Sequence, residues 1–185
     1  MITYPDNVTC LADYIESVMQ RFADRPAYTA LGQTLTFAEI DSKSSALARY
    51  FVHEAKLTPG TRVAIQLPNL IQNPIVVYAA LRAGLVVVNT NPLYTEREMK
   101  HQFTDSGAKA LVILGDLLPK FTSIKNDTSI NTVITTSATE LLDPNTAPAL
   151  DGTVSLSQAV EIGKGLPQFE RPKIQLDDLA MLQYT

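Results

Sequence analysis

Apolar residues recur along this chain with two alternating periods, one helical and one of extended strand. Leu11, Ile15, Val18, Met19 and Phe22 fall at helical spacing behind Thr9, a candidate N-cap, and predict an amphipathic first helix. After Pro26, Ala27–Leu31 and Thr34–Thr36 flank Gly32 and Gln33, which predicts a β-hairpin whose two-residue turn takes its positive φ from Gly32. Thr36 to Glu39 has the spacing of a capping box, and Ile40, Leu47, Ala48 and Phe51 line one face of the helix behind it. That helix should end before Pro59 and Gly60.

From there the pattern settles into strand and helix by turns. Arg62–Leu67 reads as a short strand closed by Pro68 and Asn69. An apolar helix follows through Tyr78 and Leu81, with Arg82 in its last turn and Gly84 at C′; apolar all round, it should lie between layers. Leu85–Val88 is a β-branched strand, and the polar loop Asn89–Tyr94 leads to a second capping box, Thr95 to Glu98. The helix it opens carries Met99 and Phe103 and closes at Gly107. Ala110–Leu114 lacks polar alternation, as a strand covered on both faces should; a short helix over Leu117–Ile124 and a strand over Thr132–Thr136 continue the series. This order predicts an α/β fold, a doubly wound, mostly parallel sheet with flanking helices and right-handed crossovers. Residues 137–153, with Pro144, Pro148 and Gly152, read as a flexible surface loop, Ser155–Ile162 as a short helix, and 163–175 as a connection. Asp177–Thr185 reads as a buried strand running into the first residues of a loop, which places the end of the chain at the entrance to a site.

Composition narrows the class. With 45% hydrophobic and 18% charged residues the chain is globular in type. Its 15 basic and 19 acidic residues leave a net charge of −4 with no basic run to follow a phosphate backbone, so nucleic acid is not an expected partner. The single cysteine, Cys10, has no partner for an intrachain disulfide and reads as a packing residue, consistent with a reducing compartment. The first residues lack the basic and apolar regions of a signal peptide, and the cytoplasm is the default location. Leu70–Asn89 is the longest apolar tract, but Gln72, Asn73, Pro74, Arg82 and Gly84 interrupt it, whereas a bilayer crossing needs about 20 apolar residues.

Little in the residues points by itself to chemistry. Gly163-Lys164-Gly165 lacks the spacing and the following hydroxyl of a P-loop, and no G-x-G-x-x-G is present. His53 and His101 lie on expected helices without a partner at ligand spacing, so no metal site and no catalytic residue are assigned. Asp177 and Asp178 read as a turn or cap. The loop holding Asn89, Asn91, Pro92 and Tyr94 follows a parallel strand, where open α/β sheets bind ligands, though Asn and Pro are also what a tight strand-to-helix turn requires.

The wording of three segments adds a resemblance. RVAIQLPN, ALRAGLVVVNTNPLYTEREMKHQFTDSGAKALVIL and DDLAMLQYT resemble the N-terminal part of acyl-adenylate-forming (AMP-binding) enzymes, and within them the bacterial long-chain fatty acid CoA ligases. NTNPLYTEREMKHQFTDSGA is distinctive of that branch; LRAG and TFAE are shared across the superfamily. The resemblance implies that residues 1–185 are an incomplete N-terminal domain of an acyl-CoA synthetase. The parent would use ATP and Mg²⁺ to join a fatty acid to AMP and then pass the acyl group to coenzyme A. Tyr184 and Thr185 match the first two positions of the family's ATP phosphate loop, while Asn89, Asn91, Pro92 and Tyr94 would border the acyl or CoA side. The segment alone is expected to be inactive and to bind none of these ligands. Peripheral association with the inner face of the membrane and homodimerisation stay open, and relatives carry a longer basic and apolar insertion near residues 137–153. A free-standing α/β binding module, a dinucleotide-binding oxidoreductase domain, and an adenylating ligase for a medium-chain or aromatic acid remain the alternatives.

Overall fold

Alternation along the strands sorts the side chains of the central sheet onto two faces, and each face has its own core. In this computed structural model, which describes residues 8–184, the sheet contains β3 (Arg62–Gln66), β4 (Val86–Asn89), β5 (Ala110–Leu114), β6 (Thr132–Thr136), β7 (Val154–Ser155) and β8 (Met181–Gln183). They lie in the order β7-β6-β5-β3-β4-β8, and every pairing is parallel. A separate antiparallel hairpin joins β1 (Pro26–Ala30) to β2 (Gln33–Thr36). The helices are α1 (Leu11–Arg21), α2 (Phe37–His53), α3 (Gln72–Arg82), α4 (Glu96–Ser106), α5 (Leu118–Ile124) and α6 (Leu156–Gly165).

Val63, Ile65, Val87, Ala110, Val112 and Ile134 face α1, α2, α3 and α6, where Met19, Leu47, Phe51, Ile75 and Leu156 complete one cluster. Ala64, Val88, Leu111, Ile113 and Val133 face α4 and α5, against Met99, Phe103, Phe121 and Ile124. This is the doubly wound arrangement that the strand and helix order predicts: near-continuous apolar strands because both faces are covered. Met99 and Phe103 are fully buried, and each such side chain contributes roughly 1.5–3 kcal/mol relative to exposure.

The capping boxes form as predicted. Thr36 and Glu39 exchange hydrogen bonds at the start of α2, and Thr95 and Glu98 do so at the start of α4. Gly107 ends α4 in the left-handed conformation, with φ 65°. Gly84, at φ 70° after α3, also lets Pro172 approach to 3.0 Å of where a Cβ would stand.

Several boundaries differ from the expectation. The residue capping α1 is Cys10, without a side-chain bond; Thr9 donates its hydroxyl to the Asp13 carboxylate. The hairpin turn is Leu31-Gly32, with φ of 51° and 80°, so Gln33 belongs to β2. Two positive φ values suit the two-residue turn that matches strand twist, and the Thr29–Thr34 pair fixes that register. Helix α6 runs on to Gly165, so Gly163-Lys164-Gly165 is helix and not connection. Strand β8 is not buried: it occupies the sheet edge, and Met181 is 43% exposed.

The segment 137–153 carries a short 3₁₀ turn at Pro144–Thr146 and is anchored from within. Glu140 is fully buried and accepts from the Ser157 N–H at 2.7 Å and from the hydroxyls of Thr136 and Ser157. Gln72 and Gln33 donate to the carbonyls of Ser137 and Leu141.

Candidate functional site

Parallel strands deliver their loops to one end of the sheet, and a large opening lies there. Residues after the carboxyl ends of β3, β4 and β8 surround a cavity of about 730 Å³, bordered by Asn69, Asn73, Asn89, Asn91, Tyr94 and Gln183 among others. Every described side chain lining it is uncharged. A smaller cavity of about 200 Å³, beside Cys10, Leu85 and Ala180, opens at the opposite, amino ends of β4 and β8, away from the loops.

The loop after β4 is built by its own polar groups. The Asn91 side chain accepts from the Leu93 N–H at 2.9 Å, and the Asn91 carbonyl accepts from the Tyr94 N–H at 3.1 Å. This Asx turn swings the chain from β4 into the capping box of α4, as a tight strand-to-helix turn requires. Leu93 is left 84% exposed at its tip. Tyr94 instead packs against the cluster beneath α4 and α5.

Side chains then tie β4 to β8. Asn89 Nδ2 donates to Gln183 Oε1 at 2.7 Å, and Gln183 Nε2 donates to the Tyr184 carbonyl at 3.2 Å. The Tyr184 hydroxyl donates to the Asp105 carboxylate at 2.6 Å. Partial burial, reinforced by Asp105, raises the Tyr184 phenol to about 12.

Of the residues singled out from sequence, Asn89, Asn91, Pro92, Tyr94 and Tyr184 come together around one cavity; Thr185 lies outside the described residues. Gln183, Asn69 and Asn73 border the same cavity without having been singled out. Strand β8 reaches β4 through the parallel pairing of Val87–Asn89 with Met181–Gln183, and local periodicity carries no information about which strands neighbour each other. The other polar candidates lie elsewhere. Asp178 accepts from the Gln175 N–H at 2.7 Å in a turn, His53 packs edge-on against Phe169, and His101 is exposed on α4. Among the described residues no group of three His, Cys, Asp or Glu side chains is placed to hold a metal ion.

A parallel, doubly wound sheet with a polar opening at its carboxyl end defines a nucleotide- or ligand-binding α/β domain. The model of the AMP-binding enzyme family matches residues 15–185, and the chain belongs to that family. It is 35% identical, over 98% of its length, to the long-chain-fatty-acid–CoA ligase of Escherichia coli O6:H1, and 37% identical, over 95%, to that of Haemophilus influenzae. It spans about a third of those relatives' length, 35% and 34% respectively. Among solved structures, a long-chain-fatty-acid-CoA ligase (FadD1) from Archaeoglobus fulgidus superposes with a TM-score of 0.79 at 24% identity, covering all of this chain and 35% of that one. The anthranilate CoA ligase AuaEII superposes with a TM-score of 0.83 at 15% identity, covering 98% and 33%. Both share the fold.

Proposed function

We propose that residues 1–185 are the opening part of the large N-terminal domain of an ATP-dependent long-chain fatty acid CoA ligase. The observation that carries this reading is the identity to the Escherichia coli and Haemophilus influenzae ligases along almost the whole chain. In the reaction, a carboxylate oxygen of the fatty acid bonds to the α-phosphorus of ATP as the bond to pyrophosphate breaks. The thiolate of coenzyme A then bonds to the acyl carbon as the bond to AMP breaks.

Within that scheme the loop Asn89–Tyr94 borders the acyl or CoA side. Its mouth is lined by uncharged side chains, which suits an acyl or pantetheine chain better than a triphosphate; phosphate groups are held by backbone N–H groups, cations and metal ions. Tyr184 and Thr185 begin the phosphate-binding loop in this reading, with magnesium entering alongside ATP. In this reading the 185 residues by themselves carry out neither step. The parent acts in the cytoplasm and meets its long-chain acids at the inner face of the membrane. No helix among the described residues is long and apolar enough to cross a bilayer; in this reading the contact with the membrane is peripheral. In the segment taken by itself, the edge of β8, with Met181 exposed, is where a second copy would pair.

The test is the substrate profile of the intact protein, read as loss of coenzyme A thiol with long-chain, medium-chain and aromatic acids. A preference for long-chain acids supports the proposal; a preference for benzoate-like or medium-chain acids overturns the substrate class. For the loop, Tyr94→Ala is expected to change chain preference or turnover, and an unaltered enzyme would remove the loop from the site.

A further inference from the structure

Two side chains from outside the loop Asn89–Tyr94 hold its backbone. Gln66, the last residue of β3, is fully buried and donates its carboxamide N–H to the Asn91 carbonyl at 3.1 Å. Gln102, on α4 and 1% exposed, donates to the Asn89 carbonyl at 3.0 Å. Gln66 follows Ala64 by two positions, so both glutamines lie on the α4 side of the sheet. In each, the carboxamide oxygen is buried as well and has no partner among the described residues.

That arrangement is a poor one for stability. A buried acceptor without a partner costs free energy, and an apolar side chain of similar shape would avoid the cost. The Asn91 carbonyl already accepts from the Tyr94 N–H, so it stays paired without Gln66. Leu67, Met99 and Phe103, the neighbours in sequence, are buried apolar residues. What the glutamines add is position: they fix the two carbonyls between which the chain leaves β4, and with them the Asx turn that presents Asn91 and Tyr94. Local rules are broken in this way where a site has to be held in one geometry.

Resting on the loop's place in the proposed ligase site, we propose that Gln66 and Gln102 are positioning residues for the acyl transfer reaction, acting through the backbone of Asn89 and Asn91. They touch no substrate themselves.

The experiment replaces each with methionine in the full-length ligase, as Gln66→Met, Gln102→Met and the double variant, beside Tyr94→Ala. Gln66→Leu and Gln102→Leu stand in wherever methionine does not yield folded protein. Methionine keeps the length and removes both the donor and the unpartnered oxygen. The expected result is an unchanged or higher Tm with kcat/KM for the fatty acid lowered roughly 10- to 100-fold and KM for ATP unchanged. The double variant should lose less than the product of the single losses, because both act on one loop. A lower Tm with kcat/KM retained would show a structural role only and overturn the proposal. If Tyr94→Ala impairs turnover and the glutamine variants do not, the positioning role fails while the loop's role stands. If turnover falls in the glutamine variants but not in Tyr94→Ala, action through the loop is overturned. If none of them alters turnover, the loop reading itself fails and this inference with it.

Discussion

The Tyr184 hydroxyl donates to the Asp105 carboxylate at 2.6 Å, joining the residue just after β8 to the last turn of α4. Among the described residues β8 has a strand partner on one side, β4, so this contact and the Asn89–Gln183 bond add to the backbone pairing that holds its carboxyl end against the sheet. Tyr184→Phe removes the donor and keeps the ring, and is expected to cost about 0.5 kcal/mol, the low end for a hydrogen bond near the surface. Because the phenol rises from 10.0 to about 12 in the folded protein, its contribution is complete below pH 10 and is lost as the pH climbs from about 10 to about 12. Denaturation midpoints of wild type and Tyr184→Phe, compared across that window, should draw together and then reverse in order at the alkaline end, because phenylalanine does not titrate. A constant difference would show that the hydroxyl does not titrate as described.

Asp13 supplies the acid counterpart. Its carboxyl is held below the ordinary 3.8, first by the Thr9 hydroxyl and then, against some burial, by the Thr9 N–H and Arg171. Arg171 also pairs with Glu16, which meets Arg82 at 3.0 Å, and Arg82 reaches Asp41. The network ties α1, α2 and α3 to the segment after α6. A carboxylate with a lowered value stabilises the fold above pH 3.8 and loses that contribution as the pH falls through the folded value. Asp13→Asn should therefore flatten the acid limb of the stability curve below about pH 4, measured by urea denaturation. An unchanged limb would remove Asp13 from the acid response.

Glu140 is the buried anchor of a segment that otherwise lies at the surface. Its carboxylate receives the Ser157 N–H in the first turn of α6 together with two hydroxyls. Glu140→Ala leaves those donors unpaired and is expected to cost about 2–4 kcal/mol. Chemical denaturation gives the value, and limited proteolysis should show earlier cleavage between residues 137 and 153. A loss under about 0.5 kcal/mol, the range of ordinary surface changes, would contradict the anchoring role.

At Gly163, α6 lies tightly against the backbone of α2. A Cβ there would stand 2.0 Å from the Ala46 carbonyl oxygen, and the Gly163 carbonyl accepts from Arg49 Nε at 2.7 Å. Gly163→Ala is expected to destabilise by about 1–3 kcal/mol through overpacking. Gly165→Ala, with open space around it, should be neutral or slightly stabilising. Equal effects at the two positions would rule out steric contact as the cause.

Much of the fold is written in local sequence. Strands β5 and β6 begin and end at the residues the sequence predicts, and the two capping boxes start α2 and α4 because Thr and Glu three residues apart satisfy the same backbone groups in any context. What escaped local reading depends on partners distant in sequence. Gly163-Lys164-Gly165 resembles a linker until α2 packs against it, and Glu140 resembles a loop residue until the first turn of α6 meets it. Strand β8 looks buried from its apolar run yet lies at the sheet edge. The site divides in the same way. Asn89, Asn91, Pro92 and Tyr94 stand out because they follow a β-branched strand. Gln183 and Asn73 join them only through sheet topology, and Gln66 and Gln102 only through contacts with backbone carbonyls.

The central claim, that this chain belongs to an enzyme that adenylates long-chain fatty acids, is tested most directly by pyrophosphate exchange. The intact protein is mixed with ATP, radiolabelled pyrophosphate and a fatty acid, without coenzyme A, and label is followed into ATP. The account predicts exchange that depends on a long-chain acid and proceeds without the thiol. Exchange with aromatic or medium-chain acids alone, or no exchange with any acid while acyl-CoA still forms, would contradict it.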